Sequence, residues 1–213
     1  MDLHRAHKIP DWDATPPAKR NRWQRLAART HGLATPGNAA TILGLGLVMV
    51  GLVAIGCGDF VPGLLIVMLG RSADVLDGFV AARTRTKSRI GEALDAGADK
   101  IAIAGTLVVL VLRHVLPLWL AVAIAIKSAA NVVFAAIAQS QDRPLHPSGA
   151  GKLATGGEWL ALGLLIGAKA ARTAHMHALG AWLGAGGVGL LVATLVCNYG
   201  VSFGYARKVL RRK

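Results

Sequence analysis

Four carboxylates crowd one stretch of an otherwise apolar sequence: Asp74, Asp77, Asp95 and Asp99. Spacings of three and four residues put the members of each pair on one face of a helix. Ionisable groups in segments apolar enough to cross a membrane are costly and mark a functional site by default. Carboxylates brought together repel one another unless positive charge sits among them. A pair of divalent cations on oxygen ligands supplies that charge and can clamp a pyrophosphate, stabilising the attacking and leaving oxygens. One aspartate within reach of the attacking hydroxyl would then serve as general base. Gly78, Gly91 and Gly97 remove side chains nearby and let a bulky ligand approach the backbone. The competing structural reading has the aspartates capping helices or pairing with Arg71, Arg83, Arg89 and Lys100.

The elements that position these residues read as all-α. The chain has 213 residues, 54% of them hydrophobic, and a mean hydropathy of +0.49. Six apolar runs follow one another: 38–57, 61–80, 95–112, 116–138, 157–171 and 181–203. At ~1.5 Å per residue such runs cross a hydrocarbon core of ~30 Å, the fifth only barely. Ahead of them, the alternation of Trp23, Leu26 and Ala27 with Arg22, Arg25 and Arg29 predicts an amphipathic helix in the headgroup plane. The expected organisation is a disordered basic tail over 1–20 and one membrane-embedded domain over 21–213. Residues 1–37 contain no apolar core of the signal-peptide kind.

A net charge of +13 would suggest nucleic acid in a soluble protein. Here the basic residues cluster at the ends of apolar runs, so a membrane surface accounts for them and no nucleic acid is expected. Lysine and arginine are dense before the first run, between the second and third, between the fourth and fifth, and after the sixth. The other side holds Arg113, Lys169 and Arg172. The positive-inside rule therefore puts both termini and the aspartates at the cytoplasmic face of a bacterial-type plasma membrane. Cys57 and Cys197 fall in or beside apolar runs and read as small packing residues, without a disulfide.

The aspartate stretch resembles the signature of the CDP-alcohol phosphatidyltransferase family, D-x2-D-G-x2-A-R-x8-G-x3-D-x3-D. Asp74, Asp77, Gly78, Ala81, Gly91, Asp95 and Asp99 fall in register; Ala82 stands where the family has arginine, and Arg83 follows it. The resemblance implies that Asp74, Asp77, Asp95 and Asp99 hold two Mg2+ or Mn2+ ions, with Asp99 also the catalytic base. It assigns Gly78, Ala81 and Gly91 to the packing of the cytidine nucleotide, with Asn38 and Thr41 of an N-x2-T segment lining the same site. Arg83 would serve in place of the shifted arginine. The implied reaction is attack by an alcohol on the lipid-side phosphorus of CDP-diacylglycerol, with release of CMP; a homodimer is the assembly the family suggests.

For the acceptor, 147–155 resembles a G-K-x2-T segment of phosphatidylglycerophosphate synthases. Lys127, Arg143 and Lys152 are the candidates to bind an acceptor phosphate. Glycerol 3-phosphate is the first choice and inositol phosphate its competitor. A divalent-cation transporter or channel is the rival from another class, and a family scaffold without activity is the third reading. The Gly180-x3-Gly184 motif could pack helices or dimers. His175 and His177 look like metal ligands but read as an ordinary loop.

Overall fold

The computed structural model describes residues 15–140 and 149–210. Among them are helices and no strands: a 3-10 turn at Pro17–Lys19, then α1 (Arg22–Arg29), α2 (Pro36–Cys57), α3 (Phe60–Thr84), α4 (Arg89–Leu112), α5 (Leu118–Ser140), α6 (Gly149–Thr173) and α7 (His177–Leu210). Part of the expected tail, Arg143 and the first residues of the 147–155 segment lie outside the described residues.

The six apolar runs reappear as α2–α7, and several helices outgrow their runs where charge enters. The run at 95–112 belongs to a helix that begins at Arg89, and the run at 157–171 to one that begins at Gly149. Hydropathy falls at the first charged residues, but backbone hydrogen bonding continues until a cap ends it. Two of these helices show a side-chain cap at their start. Thr35 Oγ1 accepts from Asn38 N at 3.2 Å, with Pro36 opening α2, and Ser88 Oγ accepts from Gly91 N at 3.0 Å to open α4. By length and composition, Pro36–Cys57 and His177–Gly204 are long and apolar enough to cross a membrane.

Helix α1 forms where expected, but its inward face differs. Asn21 and Gln24 close a capping box, the Asn21 side chain accepting from Gln24 N at 2.8 Å and Gln24 Oε1 from Asn21 N at 3.0 Å. Gln24 and Ala27 are buried, whereas Leu26 is exposed. Asn21 Nδ2 donates to Thr84 O at 3.2 Å and Gln24 Nε2 to Arg85 O at 3.5 Å. The end of α3 offers carbonyls that no helical N–H takes, and α1 supplies donors to them.

The chain packs as two units, Met1–Val53 with Leu65–Gly105 and Ala54–Leu64 with Thr106–Lys213. In the first, α2 and α3 meet backbone to backbone: a Cβ on Gly70 would lie 2.6 Å from Gly44 O. In the second, α6 and α7 share a glycine seam. A Cβ on Gly157 would lie 2.6 Å from Thr194 Cγ2, and one on Gly180 2.6 Å from Arg172 Cγ. The Gly180-x3-Gly184 motif therefore packs two helices of the same chain. Tyr199 ties α7 to α5, its hydroxyl donating to Ala123 O at 2.8 Å. His175 and His177 meet edge to face at 6.2 Å, and among the described residues no third potential ligand joins them.

Candidate active site

The aspartate stretch folds as the second half of α3, a four-residue turn (85–88) and the start of α4. Asp77 is 8% exposed. Thr41 Oγ1 donates to its Oδ2 at 2.5 Å, a charge-assisted bond from a neutral partner. The same hydroxyl lies 3.2 Å from Gly37 O, but it has one proton to give, and the carboxylate is the stronger acceptor. Among the described residues Asp77 has no second hydrogen-bond partner.

Asp99 takes a different partner. Arg71 Nη1 donates to its Oδ1 at 2.8 Å, the two side chains being 22% and 43% exposed. This is one of the ion pairs that the structural reading of the sequence anticipated, and it sets α3 against α4. Asp95 is half-buried one turn earlier on α4. Asp74 lies in α3 with its side chain outside the described part of the structure. Asp74 apart, the described residues gather no group of three His, Cys, Asp or Glu close enough to hold a metal.

The three glycines of the stretch divide into two kinds. A Cβ on Gly91 would lie 2.7 Å from Asn38 Oδ1, so this position makes room for Asn38. At Gly78 and Gly97 nothing lies within 4 Å of such a Cβ. Asn38 is itself a latch, its Nδ2 donating to Gly32 O at 3.1 Å and Leu33 O at 2.8 Å. Ser88 Oγ donates to the same Gly32 carbonyl at 3.1 Å, which joins the α1–α2 turn to the α3–α4 turn. Gly32 sits at φ 82, where a side chain would strain the backbone. Sequence reasoning missed Ser88 and Gly32, although a serine three residues ahead of Gly91 at a helix start carries the N-cap signal. Ala81 packs against Gly37, where an added Cβ would come within 3.0 Å of it. Arg83 is exposed and unpaired among the described residues.

The acceptor candidates separate as well. Lys127 is buried in α5, and its Nζ donates to Glu158 Oε2 of α6 at 2.5 Å. Asn198 Nδ2 of α7 reaches the same oxygen at 3.2 Å. One turn along α7, Ser202 Oγ donates to Asn131 Oδ1 of α5 at 2.6 Å. Lys152 is exposed on α6, and Arg143 lies outside the described residues. Sequence reasoning overlooked Glu158. A lysine inside an apolar run calls for a counter-ion, and from residue 101 onward the acids are Asp142 and Glu158.

The family model for CDP-alcohol phosphatidyltransferases matches residues 34–193. The chain belongs to that family. It is also similar to a cardiolipin synthase (CMP-forming) of Streptomyces coelicolor, 37% identical over 81 residues, which span 38% of this chain and 38% of that protein. Membership in a family of phosphatidyl-transferring enzymes replaces the cation-channel reading.

CDP-alcohol phosphatidyltransferases generally depend on a divalent metal, and the chemistry of the donors here suits one, although the described residues do not gather them into a cluster. Asp77, Asp95 and Asp99 are hard oxygen ligands of the kind Mg2+ and Mn2+ prefer. Asp77 is a buried carboxylate met by a neutral hydroxyl, and such an anion is costly without compensating charge.

Proposed function

We propose that the chain is an integral membrane enzyme, crossing the bilayer with α2–α7, that transfers the phosphatidyl group of CDP-diacylglycerol to glycerol 3-phosphate and releases CMP. The observation that carries this reading is Asp77, a buried carboxylate at a signature position whose partner is the Thr41 hydroxyl. Asp74, Asp77, Asp95 and Asp99 would hold Mg2+ or Mn2+, which when bound offsets the charge of the pyrophosphate and of the departing CMP.

The chain's own residues then have separate tasks. Thr41 fixes the Asp77 carboxylate through Oδ2. Arg71 holds Asp99 through Oδ1, and the other oxygen takes the proton of the acceptor hydroxyl as general base. The acceptor oxygen bonds to the lipid-side phosphorus as the bond from that phosphorus to the CMP oxygen breaks. Open space beside Gly78 accommodates the nucleotide, and Arg83 reaches its phosphates from the position after Ala82. Lys152 and Arg143 bind the acceptor phosphate, while Lys127, committed to Glu158, holds α5 to α6. With the aspartates at the cytoplasmic surface, the lipid tails of the donor stay in the bilayer and its nucleotide stays in water.

In a second reading the acceptor is phosphatidylglycerol and the product cardiolipin. The similarity to the Streptomyces coelicolor synthase supports it, as does the commitment of Lys127 to Glu158, which leaves fewer cations for an acceptor phosphate. Purified protein in nanodiscs, given CDP-diacylglycerol and Mn2+, is to be assayed for CMP release with glycerol 3-phosphate, inositol phosphate and phosphatidylglycerol in turn. Release with glycerol 3-phosphate supports the first reading; release with phosphatidylglycerol alone selects the second. Release with inositol phosphate alone overturns both acceptors, and none with any of them points to a scaffold without activity.

A further inference from the structure

The second packing unit holds a cavity of about 420 Å³ lined by Pro117, Leu165 and Val188 together with His114, Lys169 and Arg172. This is a volume in the range of small-ligand sites, and its wall joins apolar side chains to cationic ones. Lys169 is half-buried. Arg172 is laid along α7 by the glycine seam: a Cβ on Gly184 would lie 2.9 Å from its Nη2, and that same atom donates to Gly180 O at 3.4 Å. Glycine at these positions is what lets the guanidinium lie flat against the helix beside the cavity.

The second packing unit contains the acids Asp59, Asp142 and Glu158; Glu158 is taken by Lys127 and Asn198, Asp59 makes no ion pair among the described residues, and Asp142 lies outside the described residues. Neither Lys169 nor Arg172 has an acidic partner among the described residues. The charge distribution of the sequence assigns the α4–α5 and α6–α7 turns to the side away from the aspartates, where cations are otherwise scarce. Two of the three lysines and arginines on that side line this one cavity.

We propose that the cavity is a second, non-catalytic site for a phosphate group carried on an apolar tail, that is, for an anionic phospholipid of the non-cytoplasmic leaflet. Lys169, Arg172 and His114 face the phosphate, and Leu165, Pro117 and Val188 the first part of the tail. The inference rests on the reading of the chain as membrane-spanning but not on its catalytic activity.

The test uses the full chain in nanodiscs containing phosphatidic acid and phosphatidylcholine with identical acyl chains, and native mass spectrometry to count retained lipid. Phosphatidic acid serves because it is neither the proposed donor nor a proposed acceptor. Wild type should retain it in preference to phosphatidylcholine. Lys169→Gln should lower that preference about five-fold, and Lys169→Gln with Arg172→Gln about twenty-five-fold, the scale of one surface cation each. Because Arg172 is packed in the seam, the single Lys169→Gln variant decides if the double variant fails to fold. CMP release by Lys169→Gln should match wild type; loss of CMP release from wild type itself, with the lipid preference intact, would strike the catalytic reading and leave this one standing. Equal retention of the two lipids by wild type, or an unchanged preference in Lys169→Gln, overturns the proposal. Displacement of phosphatidic acid by millimolar inorganic phosphate as effectively as by short-chain phosphatidic acid would assign the cavity to free phosphate and overturn its lipid half.

Discussion

Asp77 on α3 and Glu158 on α6 are both buried carboxylates, 8% and 2% exposed, and the chain surrounds them differently. Glu158 receives an ammonium and an amide on one oxygen, from Lys127 and Asn198. Its charge is balanced by the protein, and three helices are joined in doing so. Asp77 receives one hydroxyl proton, from Thr41, and among the described residues no cation meets it. Buried acids are thus of two sorts in the proposed reading, one spent on holding helices together and one kept for a ligand. Asp99 stands between them, half-exposed and tied to Arg71.

This contrast makes opposite predictions for the two acids. Asp77→Asn should lower CMP release by about a thousand-fold, the scale of losing one charge-stabilising group, while the melting temperature stays near that of wild type. Strong destabilisation with activity retained would reverse the assignment. Lys127→Met should do the reverse, removing ~3–5 kcal/mol of stability by leaving Glu158 without its counter-charge. The double variant Lys127→Met with Glu158→Leu should recover most of that loss, because an apolar pair of similar volume replaces a buried ion pair at little net cost. Failure of the double variant to recover would show that the pair does more than balance its own charge. Asp99→Asn, measured by turnover and by CMP binding, should cost about a hundred-fold in turnover and spare binding. Equal losses in both would make Asp99 a binding residue rather than the base.

The apolar runs made the helices legible in the sequence and the signature the family, and the misses have common causes. Helices α4 and α6 begin six and eight residues before their expected runs, at Arg89 and Gly149, because hydropathy reports burial and not backbone hydrogen bonding. The α1 face was read from Trp23 and Leu26, but the helix is oriented by Gln24, whose amide reaches a carbonyl at the end of α3; apolar periodicity carries no record of such a polar latch. Gly91 was read as room for a ligand and instead makes room for Asn38, a contact between residues far apart in the chain. Lys127 was read as an acceptor ligand because Glu158 was not weighed as its counter-ion. The signature spacing placed Asp77 on one helix and Asp99 on the next, where they meet Thr41 and Arg71.

Thermal melting of the purified protein with increasing Mn2+, for wild type, Asp77→Asn and Glu158→Gln, tests most directly whether Asp77 is the acid kept for a cation. At Mn2+ about a hundred-fold above its dissociation constant, wild type should gain about 2.7 kcal/mol; Glu158→Gln should gain as much from a lower baseline, and Asp77→Asn should gain almost nothing. An equal gain in Asp77→Asn, or none in wild type, would contradict the account.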